Sequence, residues 1–82
     1  MTGTHELKTW PAFFQPLVDH KKWFELRRLD RAFQVGDVLT LREYDPETQT
    51  YTGRQVSRSI SYILTGLDCE GLQSGFGILG IR

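Results

Sequence analysis

The chain has one cysteine, three prolines, no excess of charge of either sign and no long apolar run. Each scarcity excludes something. A single thiol, Cys69, permits neither an internal disulfide nor a cysteine-rich zinc site. It suits a reducing cytosol, and its expected place is a turn, without a catalytic role. No apolar stretch approaches the roughly 20 residues of a membrane-spanning helix, and the opening residues do not read as a signal peptide. A cytoplasmic, membrane-free protein is therefore expected. It reads as complete, because Met1 begins it and a strand-like segment nearly ends it. The two histidines, His5 and His20, have no acidic or thiol companions at ligand spacing, so no metal is expected. No glycine cluster matches a phosphate loop and no serine sits in a nucleophile elbow, so no cofactor is expected either. There are no repeats and no low-complexity segments.

The 82 residues suffice for one domain, 1–82, with a thin margin of stability. Five Phe, three Tyr and two Trp supply large groups to bury. Formal net charge is zero, yet the charge is unevenly placed. The stretch from His20 to Arg31, HKKWFELRRLDR, holds five Lys or Arg against two acids, whereas Glu43 to Glu47, EYDPE, holds three acids and no base. A neutral total can hide one basic and one acidic face.

Periodicity predicts a strand, a helix and then four strands. Residues 1–4 are expected to fray. His5 to Thr9 alternates, with His5, Leu7 and Thr9 on one face. Pro11 suits the first position of a helix, whose apolar face would pair Phe13 with Leu17 and Phe14 with Val18. Pro16 inside it predicts a kink, or a short turn and a restart. Lys22 to Arg28 reads as a strand, with Phe24 and Leu26 opposite Trp23, Glu25 and Arg27. Val35-Gly36-Asp37 is a turn leading to a strand over Val38 to Tyr44. Asp45-Pro46-Glu47-Thr48 has type I turn chemistry. A long strand follows from Tyr51 to Thr65, with Val56, Ile60, Tyr62 and Leu64 on one face and Gln55, Ser57, Ser59 and Ser61 on the other. Gly66 to Gly75 is a loop, and Phe76 to Ile81 a closing strand. The fold class is α+β, mostly β, with one main helix after the first strand. One helix against so much sheet predicts a small barrel or half-barrel plugged by the helix.

Lys22, Glu25 and Arg27 carry the most chemistry. If the first strand pairs with theirs, Lys8 joins them in a groove that could hold phosphate through Arg27, with Glu25 as acceptor or general base. The alternative is a solvated face with weak surface ion pairs. Trp23 could stack a base beside these cations, as single-stranded RNA binding requires, or pack on neighbouring stems. Arg31 could extend the groove. Tyr44 could stack on a ligand or be half buried. His5 could bond a ligand or be structural, and His20 reads as a helix C-terminal cap.

Five segments in order resemble a family pattern: His5-Glu6-Leu7-Lys8, His20-Lys21-Lys22-Trp23-Phe24-Glu25-Leu26-Arg27, Leu29 to Asp37, Leu41-Arg42-Glu43-Tyr44, and Tyr51-Thr52-Gly53-Arg54. The chain resembles a small ASCH-like domain of the PUA-like superfamily, in a short, uncharacterised bacterial and phage branch. That branch tends to read H-x-L-K, G-K-K-T-F-E-x-R, N-D-R-x-F-x-V-G-D, L-x-E-Y and Y-T-G-R. The resemblance covers most of the chain and implies a PUA-like β-barrel linked to RNA. The wider group includes a nucleoside amidohydrolase with the motif G-x-K-T-x-T-x-R, and ribonuclease-like members. Lys22 and Arg27 match that motif's lysine and arginine. Glu25 stands where it has its second threonine, the implied nucleophile, and a later catalytic glutamate has no counterpart here. His20 and Trp23 replace the glycine and threonine of the closer branch.

The leading expectation is an RNA- or nucleotide-binding module using a basic cleft. Its ligand-binding residues would be His5, Lys8, Lys22, Trp23, Glu25, Arg27, Arg31 and Tyr44. The alternatives are a hydrolase acting on a modified nucleoside or on RNA, with Lys22 and Glu25 catalytic, and a protein–protein interaction module.

Overall fold

The computed structural model describes residues 3–82. The chain runs β1 (Thr4–Thr9), α1 (Pro11–Val18), β2 (Phe24–Arg28), β3 (Val38–Asp45), β4 (Thr50–Thr65) and β5 (Phe76–Ile81). The order of elements is the one periodicity predicts. Of the residues expected to fray, Met1 and Thr2 lie outside the described residues. Gly3 and Thr4 are held: the Gly3 amide donates to the Asp37 carboxylate at 2.8 Å, and Thr4 opens β1. Among the described residues no helix is long and apolar enough to cross a membrane.

The strands form one five-stranded sheet in the order β1-β3-β4-β5-β2. Only β1 and β3 are parallel, and the other neighbours are antiparallel. The expected barrel is not closed: β1 and β2 are the two edges and share no ladder. Hence Lys8 does not reach the β2 charges through strand pairing. Leu7, Leu39, Leu41, Ile60, Leu79 and Ile81 are buried on the inner face, and Leu17 of the helix packs among them.

Two irregularities in β4 re-aim its side chains. Ile60 pairs with Ile81 and Tyr62 with Gly80, so Ser61 is an extra residue. This bulge flips the alternation beyond it. Ile63 therefore packs on the core opposite Leu79, and Tyr62, expected to share a face with Ile60, is exposed. The second irregularity lies between the Arg42–Gln55 and Tyr44–Tyr51 pairs. There Gly53 has φ of 96°, which a side chain would strain.

The helix is one segment and does not restart at Pro16. Trp10 precedes it, Pro11 occupies its first turn, and the last turn closes as the Lys21 and Lys22 amides donate to the Pro16 carbonyl. His20 follows the C-cap residue Asp19 with φ of 58°, the left-handed conformation that commonly ends a helix. The buried stripe is Phe14 and Leu17, while Phe13 and Val18 are exposed. With eight residues the helix has room for only one narrow inward stripe, so each expected i,i+4 pair contributes one buried member.

Candidate functional site

β2 is turned opposite to an ordinary edge strand. Its apolar residues Phe24 and Leu26 are exposed, while Glu25 is buried and Arg27 half-buried. Glu25 lies opposite Leu79 on β5, whose side chain is fully buried, and Arg27 lies opposite Gly77. A carboxylate in such a place needs partners. Lys22 donates to Glu25 Oε1, and Arg27 Nε lies 3.6 Å from Oε2. The Lys22 and Glu25 side chains are only 14% and 7% exposed, so this pair is largely withdrawn from water. The solvated-face alternative therefore does not describe Lys22 and Glu25, while Arg27 is half-buried beside them.

Between the edges β1 and β2 lies a recess of about 820 Å³. Lys22, Glu25 and Arg27 line it from the β2 side, and Lys8 and Thr9 from β1. Trp10, Phe13, Phe24, Leu26 and Phe76 supply apolar wall. Its size falls in the range of small-ligand sites, roughly 300–1,000 Å³. The buried Thr9 Oγ1 and Arg27 Nε on this recess have no hydrogen-bond partner among the described residues.

A second recess of about 350 Å³ shares Lys8 and Arg27 with the first. Arg28, Arg31, Glu6, Asp30 and Tyr51 also line it. Two arginines span the gap between the edges. Arg27 Nη2 donates to the Lys8 carbonyl at 2.8 Å and Arg31 Nη1 to the Glu6 carbonyl at 3.3 Å. Arg31 also pairs with Asp30 at 3.3 Å. Along both recesses together, five cations face three carboxylates, in a chain whose formal charge is zero.

The family model of a domain of unknown function, DUF3850, matches residues 4–81. The chain belongs to the DUF3850 family. It is also 34% identical over 61 residues to the uncharacterised 12.9 kDa protein in the GpA 3′ region of Escherichia phage P2. That alignment covers 74% of this chain and 54% of the phage protein, so the chain spans about half the length of that curated relative.

In this DUF3850 domain the other predicted site residues are divided. Lys8 lies on the recesses, with its ammonium 4.4 Å from the centroid of the Tyr44 ring. Tyr44 is on the outer face of the sheet, beside Tyr51 at 5.3 Å between centroids. His5 lines neither recess: its Nε2 lies 2.7 Å from Asp37 Oδ2, and its ring packs edge-on against Phe33. Trp23 precedes β2. It stacks on His20 and donates to the His20 carbonyl at 3.0 Å, outside the recess linings.

Two buried carboxylates outside the recesses act as struts. Asp37 accepts from the amides of Gly3 and Gln34 and from His5. The Gly3 amide above all, then the His5 ring, holds its carboxyl below the ordinary range, and burial opposes this. Glu43 accepts from the Thr52 hydroxyl at 2.7 Å, with Arg54 Nε 3.7 Å away. The bend at Gly53 brings both neighbours onto it.

Sequence reasoning missed Thr9, Trp10, Phe13, Arg28 and Tyr51 as parts of the site. Helical spacing places Phe13 with the core, and Tyr51 stands in the sequence as the start of a strand and of the segment Tyr51-Thr52-Gly53-Arg54. The one available signal was the apolar surplus around Pro11, which an eight-residue helix cannot bury.

Proposed function

We propose that this DUF3850 domain binds RNA or a nucleotide in the cleft between β1 and β2. The observation that carries the reading is the convergence of Lys22, Glu25 and Arg27 on one recess with aromatic walls, beside a shelf of further cations. Aromatic faces next to positive heads suit bases and phosphates together. Arg27 would meet phosphate, Lys8 and Arg31 would add charge, and Glu25 would accept from a polar base edge. The motif resemblance to ASCH-like domains points in the same direction.

Titration of labelled single-stranded RNA at two salt concentrations tests this. For about three phosphate contacts on a single strand, affinity should fall roughly 20-fold between 50 and 200 mM salt. Lys8→Ala, at an exposed position, should weaken binding and flatten that dependence. Failure to bind at low salt, or binding indifferent to salt, would remove the proposal.

A second reading, hydrolysis of a modified nucleoside or of RNA, is favoured by one feature: the water-shielded Lys22–Glu25 pair on the recess wall. A carboxylate and an ammonium in contact are a workable acid–base set. Incubation with acylated cytidine and with RNA, followed by product analysis, separates turnover from binding. Turnover surviving Glu25→Gln would exclude Glu25 from the mechanism.

A further inference from the structure

We infer that the ligand of this cleft is a single-stranded chain of several nucleotides and that its path continues past the recesses onto a stacking platform at Tyr51 and Tyr44. The inference rests on the nucleotide-binding reading and extends it to a second subsite. β1, β3 and β4 present an outer face away from the core. Lys8 pairs in register with Arg42, and Tyr44 with Tyr51, so these four side chains share that face. They form one contiguous row. Lys8 lies over Tyr44, Tyr44 neighbours Tyr51, and the Arg42 guanidinium sits 3.7 Å from the Tyr51 centroid.

This row joins the cleft directly, because Tyr51 and Lys8 both line the smaller recess. A chain whose base occupies the aromatic recess would place its next phosphate by Lys8 and Arg27. The following base would then meet Tyr51, which is 40% exposed. Lys8 and Arg42 each lie against an aromatic ring, and Arg42 also donates to the Glu6 carboxylate, so Lys8 is the cation of this row that would meet a phosphate. Base–aromatic stacking is tolerant of sequence, so the platform would add affinity with little base preference. A mononucleotide would fill the recess and leave the platform empty.

Fluorescence anisotropy with labelled oligouridylates of one, two, four and six nucleotides tests the path. Affinity should rise at least tenfold from one nucleotide to four. Tyr51→Ala should weaken the four-nucleotide probe about fivefold or more beyond any effect on the mononucleotide, and preserve the far-ultraviolet circular dichroism. Tyr51→Phe should restore binding, since the ring and not the hydroxyl stacks. If the mononucleotide binds, and longer probes bind no tighter and ignore Tyr51→Ala, the platform is refuted and the cleft reading stands. If no probe binds at low salt, both fall.

Discussion

Replacing Lys22 with methionine would leave the Glu25 carboxylate in place while removing its direct hydrogen-bond donor. Removing one partner of a buried ion pair costs about 3–5 kcal/mol, because the other charge stays desolvated. Here Arg27 Nε remains 3.6 Å from Oε2 and offsets part of the loss, so we expect a cost of about 2 kcal/mol. In a domain of this size that lowers Tm by roughly 8–16 °C. Lys22→Met combined with Glu25→Leu removes both charges and keeps the volume. It should return stability to within about 1 kcal/mol of the starting protein, since apolar replacement of a buried pair is often neutral. Urea unfolding followed by tryptophan fluorescence reads all four corners of this cycle. A loss below about 0.5 kcal/mol for Lys22→Met, the size of an ordinary surface change, would show that water reaches Glu25 freely. The recess would then have no desolvated charge. If the cycle behaves as expected, the double variant should fold but lose RNA binding, which would locate the value of the pair in recognition.

The Asp37 carboxyl titrates below its ordinary value of 3.8 in the folded chain. A depressed folded value means that its contribution is fully present above about pH 4 and is lost as pH falls through that folded value. The urea midpoint of the protein should therefore exceed that of Asp37→Asn at pH 6, and the gap should narrow as pH falls below the ordinary value of 3.8. A gap constant with pH would show that the ionised form is not what Gly3, His5 and Gln34 stabilise. Gly53→Ala meets open space but inherits φ of 96°. It should cost about 1–2 kcal/mol and loosen the hold of Thr52 and Arg54 on Glu43. An unchanged urea midpoint would mean that the bulge relaxes without strain.

Element order was readable from the sequence because turn chemistry and alternation agree along most of the chain. Val35-Gly36-Asp37 shows why. Gly36 takes φ of 97°, and Asp37 accepts from the Gln34 amide, so the local signals describe the local geometry. The segment from His20 to Arg27 resembles a pattern that begins with glycine, and His20 holds a left-handed φ that glycine adopts at no steric cost. Other features depended on long-range partners and left no local trace. Alternation divides the faces of β2 correctly but cannot say which one turns inward. On the inward face Glu25 meets Lys22, which comes from the α1–β2 connection and leaves no trace in the alternation of β2. Strand patterning likewise assumes an even count, and the extra residue Ser61 reversed the orientation of Tyr62. Trp23, read as a neighbour of the charges on one strand face, lies just before β2 and turns toward His20 instead.

The unclosed sheet and the candidate site are one physical fact. An open sheet has two edges whose unpaired backbone groups invite pairing. On β1 the carbonyls of Glu6 and Lys8, two residues apart and so on the same side of the strand, are satisfied by Arg31 and Arg27. A guanidinium is long enough to cross a gap that a hydrogen-bond ladder would have to close. The arginines therefore hold β2 near β1 without pairing them, and the space left between the strands is the aromatic recess. Closing the barrel would satisfy the same carbonyls with backbone amides, but it would eliminate that recess. The inward turn of β2 follows the same logic. With no strand beyond it, an apolar inner face on β2 would collapse onto the core, whereas Glu25 and Arg27 bring charge to the recess and leave Phe24 and Leu26 to form its wall.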